Sequence, residues 1–284
     1  MRTLIIGAQG LVGSALKKLI PSALEGIQVE AKTKNQRYID IAKYETLFKV
    51  FSEFRPQVVY LPAAIAHVDK CEDVSTNVVN IRGTTTVLRL CEQFESKLVW
   101  FSSSYVFDGY SKVPYPVISD TNPLNNYGKQ KEAVERLILK SDADFVIIRT
   151  VGVFGEERRK KNFAKQVISS VFAGTKVNVP NDQFMNPILS TDLAKVAIKL
   201  ADKEKGLFHV SGDTCISKYD FAVKIAKYFN LDSLIIPTTT DEMKQRAMRP
   251  KMGCLDCSSL TELGIQIPSL ESGILKFLQL EYNG

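Results

Sequence analysis

The feature that most constrains this chain is a glycine-spaced turn directly after a short apolar run. Thr3–Ile6 reads as a strand, and Gly7-Ala8-Gln9-Gly10-Leu11-Val12-Gly13 leads from it into an amphipathic stretch. Glycines at this spacing permit a tight turn, a close approach of the backbone to a pyrophosphate, and close packing of helix on strand. The start of a helix also offers unpaired N–H groups and a positive dipole end to a phosphate. The pattern predicts a dinucleotide-binding turn, and a plain glycine-rich turn is the alternative.

Short apolar runs alternate with helical patterns through the first half of the chain. The strand candidates are Thr3–Ile6, Ile27–Ala31, Val58–Leu61, Leu98–Phe101 and Phe145–Ile148. The helix candidates are Leu11–Leu19, Tyr44–Phe54, Val74–Phe94 and Tyr127–Lys140. This order predicts an α/β fold with a Rossmann-type, doubly wound parallel sheet. After Gly155 the pattern is less regular, so we expect a nucleotide-binding domain over 1–153, to which 186–210 returns, and a small mixed substrate-binding cap over 154–284.

The charge, the apolar runs and the cysteine content limit the classes of protein to which this chain can belong. The 37 basic and 31 acidic residues give a net charge of +6, and the lysines are scattered, so we expect no nucleic-acid partner. The longest apolar run, Val58 to Ala66, is too short to span a membrane, and the run before Gly7 is too short for a signal peptide. Five cysteines are too few for a disulfide framework. We expect Cys254 and Cys257 to be reduced structural thiols in a cytoplasmic protein.

Two further residue patterns bear on bound ions. With two histidines, a histidine-rich metal site is excluded. The run Arg158-Arg159-Lys160-Lys161 is interpreted as a solvated loop or helix end, with an anionic ligand or a subunit contact as the alternative.

The residues after the second strand bear on the choice of cofactor. An enzyme that prefers NAD usually carries an acidic residue here for the ribose 2′-hydroxyl. Lys32, Lys34 and Arg37 instead crowd the position of a 2′-phosphate, which favours NADPH. Glu30 keeps NADH possible, and a solvated basic loop is the other alternative. Asp40-Ile41 is expected to end the third strand near the adenine.

A tyrosine and a lysine four residues apart open the helix after the fifth strand. Tyr127 and Lys131 lie on one face of that helix, where the lysine charge favours the tyrosinate and eases proton transfer. The strand before it ends in Ser102-Ser103-Ser104, and a hydroxyl there could bind a substrate carbonyl. Ser103, Tyr127 and Lys131 are therefore the predicted catalytic residues. A helix start with a solvated lysine is the alternative.

Motifs along nearly the whole chain resemble the extended short-chain dehydrogenase/reductases, and in particular the dTDP-4-dehydrorhamnose reductase family. The regulatory beta subunit of methionine adenosyltransferase, a relative of that family, is similar too. The motifs are Gly7 to Gly13, Arg55-Pro56-Gln57-Val58-Val59, Ala63 to Glu72, Tyr105-Val106-Phe107-Asp108-Gly109, Pro123 to Lys131, Arg149-Thr150 with Phe154-Gly155, and Arg249-Pro250 with Leu255-Asp256.

The resemblance implies a role for individual residues around the cofactor. The turn residues Gly7 and Gln9 would lie beside Gly10, Leu11 and Val12, which would hold the pyrophosphate. Further cofactor contacts would come from Asp40 and Ile41 at the adenine, from Ala63, Ala64, Ile65 and Ala66 at the nicotinamide, and from Tyr127 and Lys131 at its ribose.

The resemblance also implies contacts with the substrate. Ser103, Ser104 and Tyr105 would face the sugar, and Tyr127 would donate the proton. Arg249 is a candidate for the diphosphate, with a structural ion pair as the alternative. His67 is a weaker candidate for a substrate contact than for a packed loop residue.

Some positions depart from the family pattern. Ala15 replaces a glutamate that some members use in a magnesium-bridged dimer, so we expect no metal. Gly152 stands where a tryptophan normally packs on the sugar, which leaves the identity of the deoxyhexose open.

The implied activity is NAD(P)H-dependent reduction of a nucleotide-linked 4-keto-6-deoxy sugar by a monomer or homodimer. A non-catalytic, NADP-binding regulatory subunit of the methionine adenosyltransferase type and a sugar-nucleotide 4-epimerase are the alternatives.

Overall fold

A computed structural model describes residues 1–29, 31–156 and 162–282. The strands are β1 Thr3–Ile6, β2 Leu24–Ile27, β3 Gln36–Tyr38, β4 Val58–Leu61, β5 Lys97–Ser103, β6 Phe145–Thr150, β7 Val153–Phe154, β8 Val177–Pro180, β9 Phe184–Met185, β10 Ile188–Leu189, β11 Gly206–His209, β12 Ile216–Ser217 and β13 Ile235–Thr238. The α-helices are α1 Leu11–Leu19, α2 Tyr44–Phe54, α3 Thr84–Gln93, α4 Asn126–Leu139, α5 Phe163–Phe172, α6 Ser190–Lys203, α7 Lys218–Lys227, α8 Ser258–Glu262 and α9 Leu270–Tyr282.

The main sheet is parallel throughout and confirms the predicted fold class. Its seven strands run in the order β11-β6-β5-β4-β1-β2-β3. Chain order reverses at β1, which lies between β4 and β2. A crevice at the carboxyl ends of the strands next to such a reversal is the usual ligand site of this architecture.

The central strands are apolar on both sides because each face of the sheet is covered. Along β1, Leu4 and Ile6 pack into one buried cluster and Ile5 into another. Successive side chains of a strand point to opposite faces, so the near-continuous apolar runs of the central strands match a doubly covered sheet. The cluster around Ile5 continues into α5, α7 and α9, which ties the C-terminal elements to the sheet.

The second strand is displaced from its predicted position. Ile27–Ala31 was expected, whereas β2 covers Leu24–Ile27 and pairs with β1 and with the edge strand β3. Neither β2 nor β3 has a clear apolar pattern in its sequence; β2, for example, contains Glu25 and Gly26. The positions of these two strands are therefore set by their pairing with neighbouring strands of the sheet.

The predicted helix Val74–Phe94 is divided into three. A 3-10 turn covers Val74–Thr76, a π turn covers Val78–Gly83, and α3 follows. Gly83 in the π turn packs against Ile41, where an added Cβ would lie 2.8 Å from the Ile41 carbonyl oxygen. At this π turn, where the predicted helix is interrupted, the chain therefore lies close to the loop after β3.

The C-terminal region contains short two-stranded sheets, β10-β7, β12-β9 and β13-β8. Cys254 forms a disulfide with Cys215, so the expectation that it is a reduced thiol is wrong. Cys257 is a buried free thiol. Within the described residues, no helix is long and apolar enough to cross a membrane, and no group of three or more histidine, cysteine or acidic residues is placed to hold a metal ion.

Candidate active site

The first glycine turn has the shape of a phosphate cradle. Gly7 adopts φ +95°, and a Cβ there would lie 2.9 Å from Ala63. A Cβ on Gly13 would overlap the Gly7 carbonyl, so only glycine lets α1 pack so closely on β1. Gly10 is the N-cap of α1 and has no side chain to cap the first N–H groups, so Leu11 and Val12 begin the helix with donors directed at the turn.

A buried amide ties the predicted nicotinamide loop to the catalytic helix. The Asn80 amide accepts from the Ile65 N–H at 2.8 Å and donates to the Ile65 carbonyl at 3.0 Å. The same amide donates to Gln130 Oε1 on α4 at 2.6 Å. Ala63 N–H donates to the Ile6 carbonyl at 3.1 Å, which fixes the start of the loop, and Ala66 reaches the cavity described below. Ala64 lies between these anchored residues.

The predicted adenine end is less enclosed. Lys32 and Lys34 are exposed on the loop before β3, and Gln9 is exposed at the glycine turn. The Asp40 carboxylate accepts from the Ala42 N–H at 3.0 Å. Ile41 is buried under the π turn. Glu30 and the run Arg158-Arg159-Lys160-Lys161 lie outside the described residues.

The three predicted catalytic side chains come together. Ser103 is the last residue of β5, and its hydroxyl lies close enough to the Tyr127 phenol on α4 to affect the pKa of that phenol. Lys131 follows one turn later, with its ammonium 5.8 Å from the centre of the Tyr127 ring. That ammonium donates to the Phe101 carbonyl at 2.6 Å and lies 4.6 Å from the centre of the Trp100 ring. A phenol, a hydroxyl and a cation are therefore clustered at the end of β5 and the start of α4.

Burial dominates the acid–base properties of this group. It raises the pKa of Tyr127 well above 10, while the nearby Ser103 hydroxyl works in the opposite direction. Burial lowers the pKa of Lys131 to about 8, and the charge of Glu135 opposes that shift. Tyr127 is therefore protonated and Lys131 largely charged at neutral pH, which is the state needed for proton donation.

A buried polar chain lies behind the serines at the end of β5, among them the predicted catalytic Ser103, and the sequence did not predict it. Glu135 accepts from the Ser102 hydroxyl at 2.5 Å and forms an ion pair with Arg149 at 2.7 Å. Arg149 also lies 3.4 Å from His209 Nε2 on β11. Burial and the Arg149 charge lower the pKa of His209 to about 3, so the imidazole is neutral. The sequence contained one signal for this polar chain: Lys131 and Glu135 are four residues apart, which places them on one face of a helix.

A cavity of about 300 Å³ opens between the carboxyl edge of the sheet and the C-terminal region. Ser104 and Tyr105 line its sheet side, and Tyr105 contacts Tyr127 edge to face with ring centres 5.7 Å apart. The Ser104 hydroxyl is fully buried and has no hydrogen-bond partner among the residues that the structure describes. Gly152, in the left-handed region at φ +60°, forms part of the floor.

A second part of the cavity lining was not predicted. It includes Gln183 and Lys218, and the Lys218 ammonium donates to Gln183 Oε1 at 2.5 Å. Ser217, the residue before Lys218, caps α7, and its hydroxyl accepts from the Asp220 N–H at 2.9 Å. A lysine at the positive end of a helix was the unused signal.

Two predicted substrate residues are not among the residues that line the cavity. Arg249 forms an ion pair with Asp69 at 3.0 Å and donates to the Ala247 carbonyl at 2.7 Å, the arrangement that the alternative interpretation describes. His67 is exposed, and its Nδ1 accepts from the Lys70 N–H at 3.3 Å at the start of a 3-10 turn.

Comparison with known proteins gives consistent matches over the whole chain. The model of the family "RmlD substrate binding domain" matches residues 1–282. dTDP-4-dehydrorhamnose reductase of Aggregatibacter actinomycetemcomitans is 32% identical over 93% of this chain and 94% of its own length. Methionine adenosyltransferase 2 subunit beta of Rattus norvegicus is 30% identical over 93% of this chain and 83% of its own length. The crystal structure of dTDP-4-dehydrorhamnose reductase from Bacillus anthracis in complex with NADP superposes with a TM-score of 0.90 at 28% identity and covers 98% of each chain.

Proposed function

The chain belongs to the RmlD substrate binding domain family, and on that premise we propose that it reduces the 4-keto group of a nucleotide-linked 6-deoxy sugar. It is an NAD(P)-dependent sugar-nucleotide oxidoreductase of the short-chain dehydrogenase/reductase type. Its cofactor is NADPH, with NADH as a second possibility.

The observation that carries the proposal is the convergence of Ser103, Tyr127 and Lys131 beside a cavity that adjoins the nicotinamide loop. The glycine turn supports it too, because the close packing at Gly7 and Gly13 leaves backbone N–H groups where a pyrophosphate would lie.

The side chains of this site can manage the proton of a carbonyl reduction. When bound, the reduced nicotinamide supplies the hydride that becomes the new C–H bond. The Ser103 hydroxyl donates a hydrogen bond to the carbonyl oxygen and polarises it. Tyr127 then gives its phenolic proton to that oxygen as negative charge develops there. The Lys131 ammonium stabilises the phenolate that remains.

The direct test is a substrate screen. Purified protein is mixed with dTDP-, GDP- and UDP-linked 4-keto-6-deoxy sugars, and the absorbance of NADPH and NADH is followed in parallel. We expect cofactor consumption with at least one sugar nucleotide. Tyr127→Phe should lower turnover by about 10² to 10⁴-fold and still bind NADPH. Near-normal turnover in this variant would remove Tyr127 from the proposed role.

A second candidate is a cofactor-binding regulatory subunit. It is favoured by the match to methionine adenosyltransferase 2 subunit beta, whose identity to this chain is almost that of the reductase. In that case every sugar nucleotide would fail in the screen while NADPH still bound. The protein would then co-purify with a methionine adenosyltransferase catalytic subunit and change its activity.

A further inference from the structure

We propose that the Lys218 ammonium binds the phosphate next to the sugar of the nucleotide-linked substrate, an inference that rests on the proposed function. Lys218 is the first residue of α7 and is the only charged residue among the described residues that line the cavity. Its backbone N–H donates to the Gln183 carbonyl at 2.9 Å and its ammonium to Gln183 Oε1 at 2.5 Å. Gln183 is 2% exposed, so these two bonds hold the ammonium on the cavity wall.

The charges around Lys218 are unfavourable in the protein alone. Its ammonium donates to a neutral amide oxygen, and no carboxylate forms an ion pair with it in the described part of the chain. Burial and the positive charge of Arg249 lower the pKa of Lys218 to about 8. The carboxylate of Asp69 is engaged by Arg249 at 3.0 Å. The positive end of α7 adds a third unfavourable contribution.

An anionic ligand would reverse this balance. Phe163, Phe184 and Phe221 form apolar parts of the same cavity. A cavity wall of this kind lowers the effective dielectric constant, so an ion pair formed there is stronger than one in water. The ammonium is therefore suited to recognising a negative group of the substrate.

The ring geometry of the substrate selects phosphate over a sugar carboxylate. In a pyranose, C1 and C4 lie at opposite ends of the ring. If C4 lies beside Tyr127, which contacts the lining residue Tyr105, the phosphate on C1 extends away from it along the cavity, where Lys218 carries the only charge among the described lining residues. A carboxylate on C5 would instead lie next to C4, on the catalytic side.

The test compares Lys218→Met with Lys227→Met, which removes an exposed lysine from the same helix. Calorimetric titration measures the affinities for UDP, dTDP, uridine, thymidine, UDP-glucuronate and NADP⁺. We expect Lys218→Met to bind UDP and dTDP about ten- to a hundredfold more weakly, with the nucleosides and NADP⁺ changed less than twofold. Lys227→Met should match the unaltered protein.

The melting temperature separates ligand recognition from a structural role. Lys218→Met loses one hydrogen bond to a neutral amide, so its melting temperature should fall by no more than about 4 °C. Unchanged affinity for UDP and dTDP in this variant would overturn the inference. A loss confined to UDP-glucuronate would overturn it in favour of a carboxylate contact. If the unaltered protein binds NADP⁺ but neither UDP nor dTDP, GDP and guanosine replace them in the comparison. If GDP does not bind either, the proposed function itself fails.

Discussion

Two lysines, Lys131 on α4 and Lys218 on α7, have a similarly lowered pKa, and the fold supports them differently. Lys131, on the sheet side, has a backbone carbonyl at 2.6 Å, the Trp100 ring at 4.6 Å and the helpful charge of Glu135. Lys218, on the cap side, has a neutral amide and the opposing charge of Arg249. The first ammonium is stabilised by the protein itself. In the proposed complex, the second gains a favourable partner from the substrate phosphate, so this difference would separate a chemical role from a binding role.

The largest expected effect is on the kinetic constants, because substitutions of the two lysines should change different ones. Lys131→Met should reduce kcat by about 10² to 10⁴-fold, because the phenolate formed on Tyr127 loses its nearby charge. Lys218→Met should act mainly through KM, with kcat within about threefold. Steady-state kinetics on the substrate found by the screen measures both, and a fall in kcat alone for Lys218→Met would erase the distinction.

The next effect concerns stability on the sheet side. Glu135→Gln leaves Arg149 as an uncompensated buried charge and should cost about 3–5 kcal/mol in the free energy of unfolding. Glu271→Gln, which breaks the exposed pair with Lys224, is the matched control and should cost less than about 1 kcal/mol. Urea denaturation measures the two values, and equal costs would show that the buried pair contributes no more than a surface pair.

The C-terminal region around α7 is instead stabilised by a disulfide. The disulfide between Cys215 and Cys254 closes a loop of sequence separation 39 and joins the segment before α7 to the one after Gly253. Cys215→Ser should lower the free energy of unfolding by about 2–4 kcal/mol under oxidising conditions. A reductant should destabilise the unaltered protein by a similar amount and leave Cys215→Ser unchanged. If both respond equally to reductant, the bridge is not the origin of the loss.

The smallest effect is the pH dependence of stability. The folded pKa of Lys218, about 8, lies below its usual 10.5, so between these values the unfolded chain binds more protons than the folded one. Stability contributed by this group therefore rises with pH in that window, by at most about 1.4 kcal/mol per pH unit. Urea denaturation at pH 7.5 and 9.5 should show a smaller gain for Lys218→Met than for the unaltered protein. Identical gains would contradict the lowered pKa.

The sheet side of the molecule could be predicted closely from the sequence, since local signals determine it. The strand Thr3–Ile6, its glycine turn and the helix Leu11–Leu19 have the predicted bounds, because glycines mark the turn and apolar periodicity marks the helix. The meeting of Ser103 with Tyr127 also agrees with the prediction, as both lie at the same edge of the sheet. Assignment of the cofactor and substrate contacts stays a prediction.

The cap side was less accessible to sequence reasoning because distant residues create it. Cys215 and Cys254 have no diagnostic spacing, and their pairing follows from tertiary contacts. Gln183 and Lys218 are 35 residues apart and form one wall only when the segment before β9 meets α7. The shifted β2 has the same origin on a smaller scale, since its neighbours in the sheet define its ends.

The π turn Val78–Gly83 has a consequence for how this site could change over time. It has the geometry that one inserted residue gives a helix, and Asn80, which joins the nicotinamide loop to α4, lies within it. Deleting one residue there would restore regular winding and rotate Asn80 by about 100° relative to α3. A substitution at the surface of the turn would not rotate Asn80 in this way. The architecture of the pocket is therefore more vulnerable to the loss of a single codon than to most exchanges of one side chain for another.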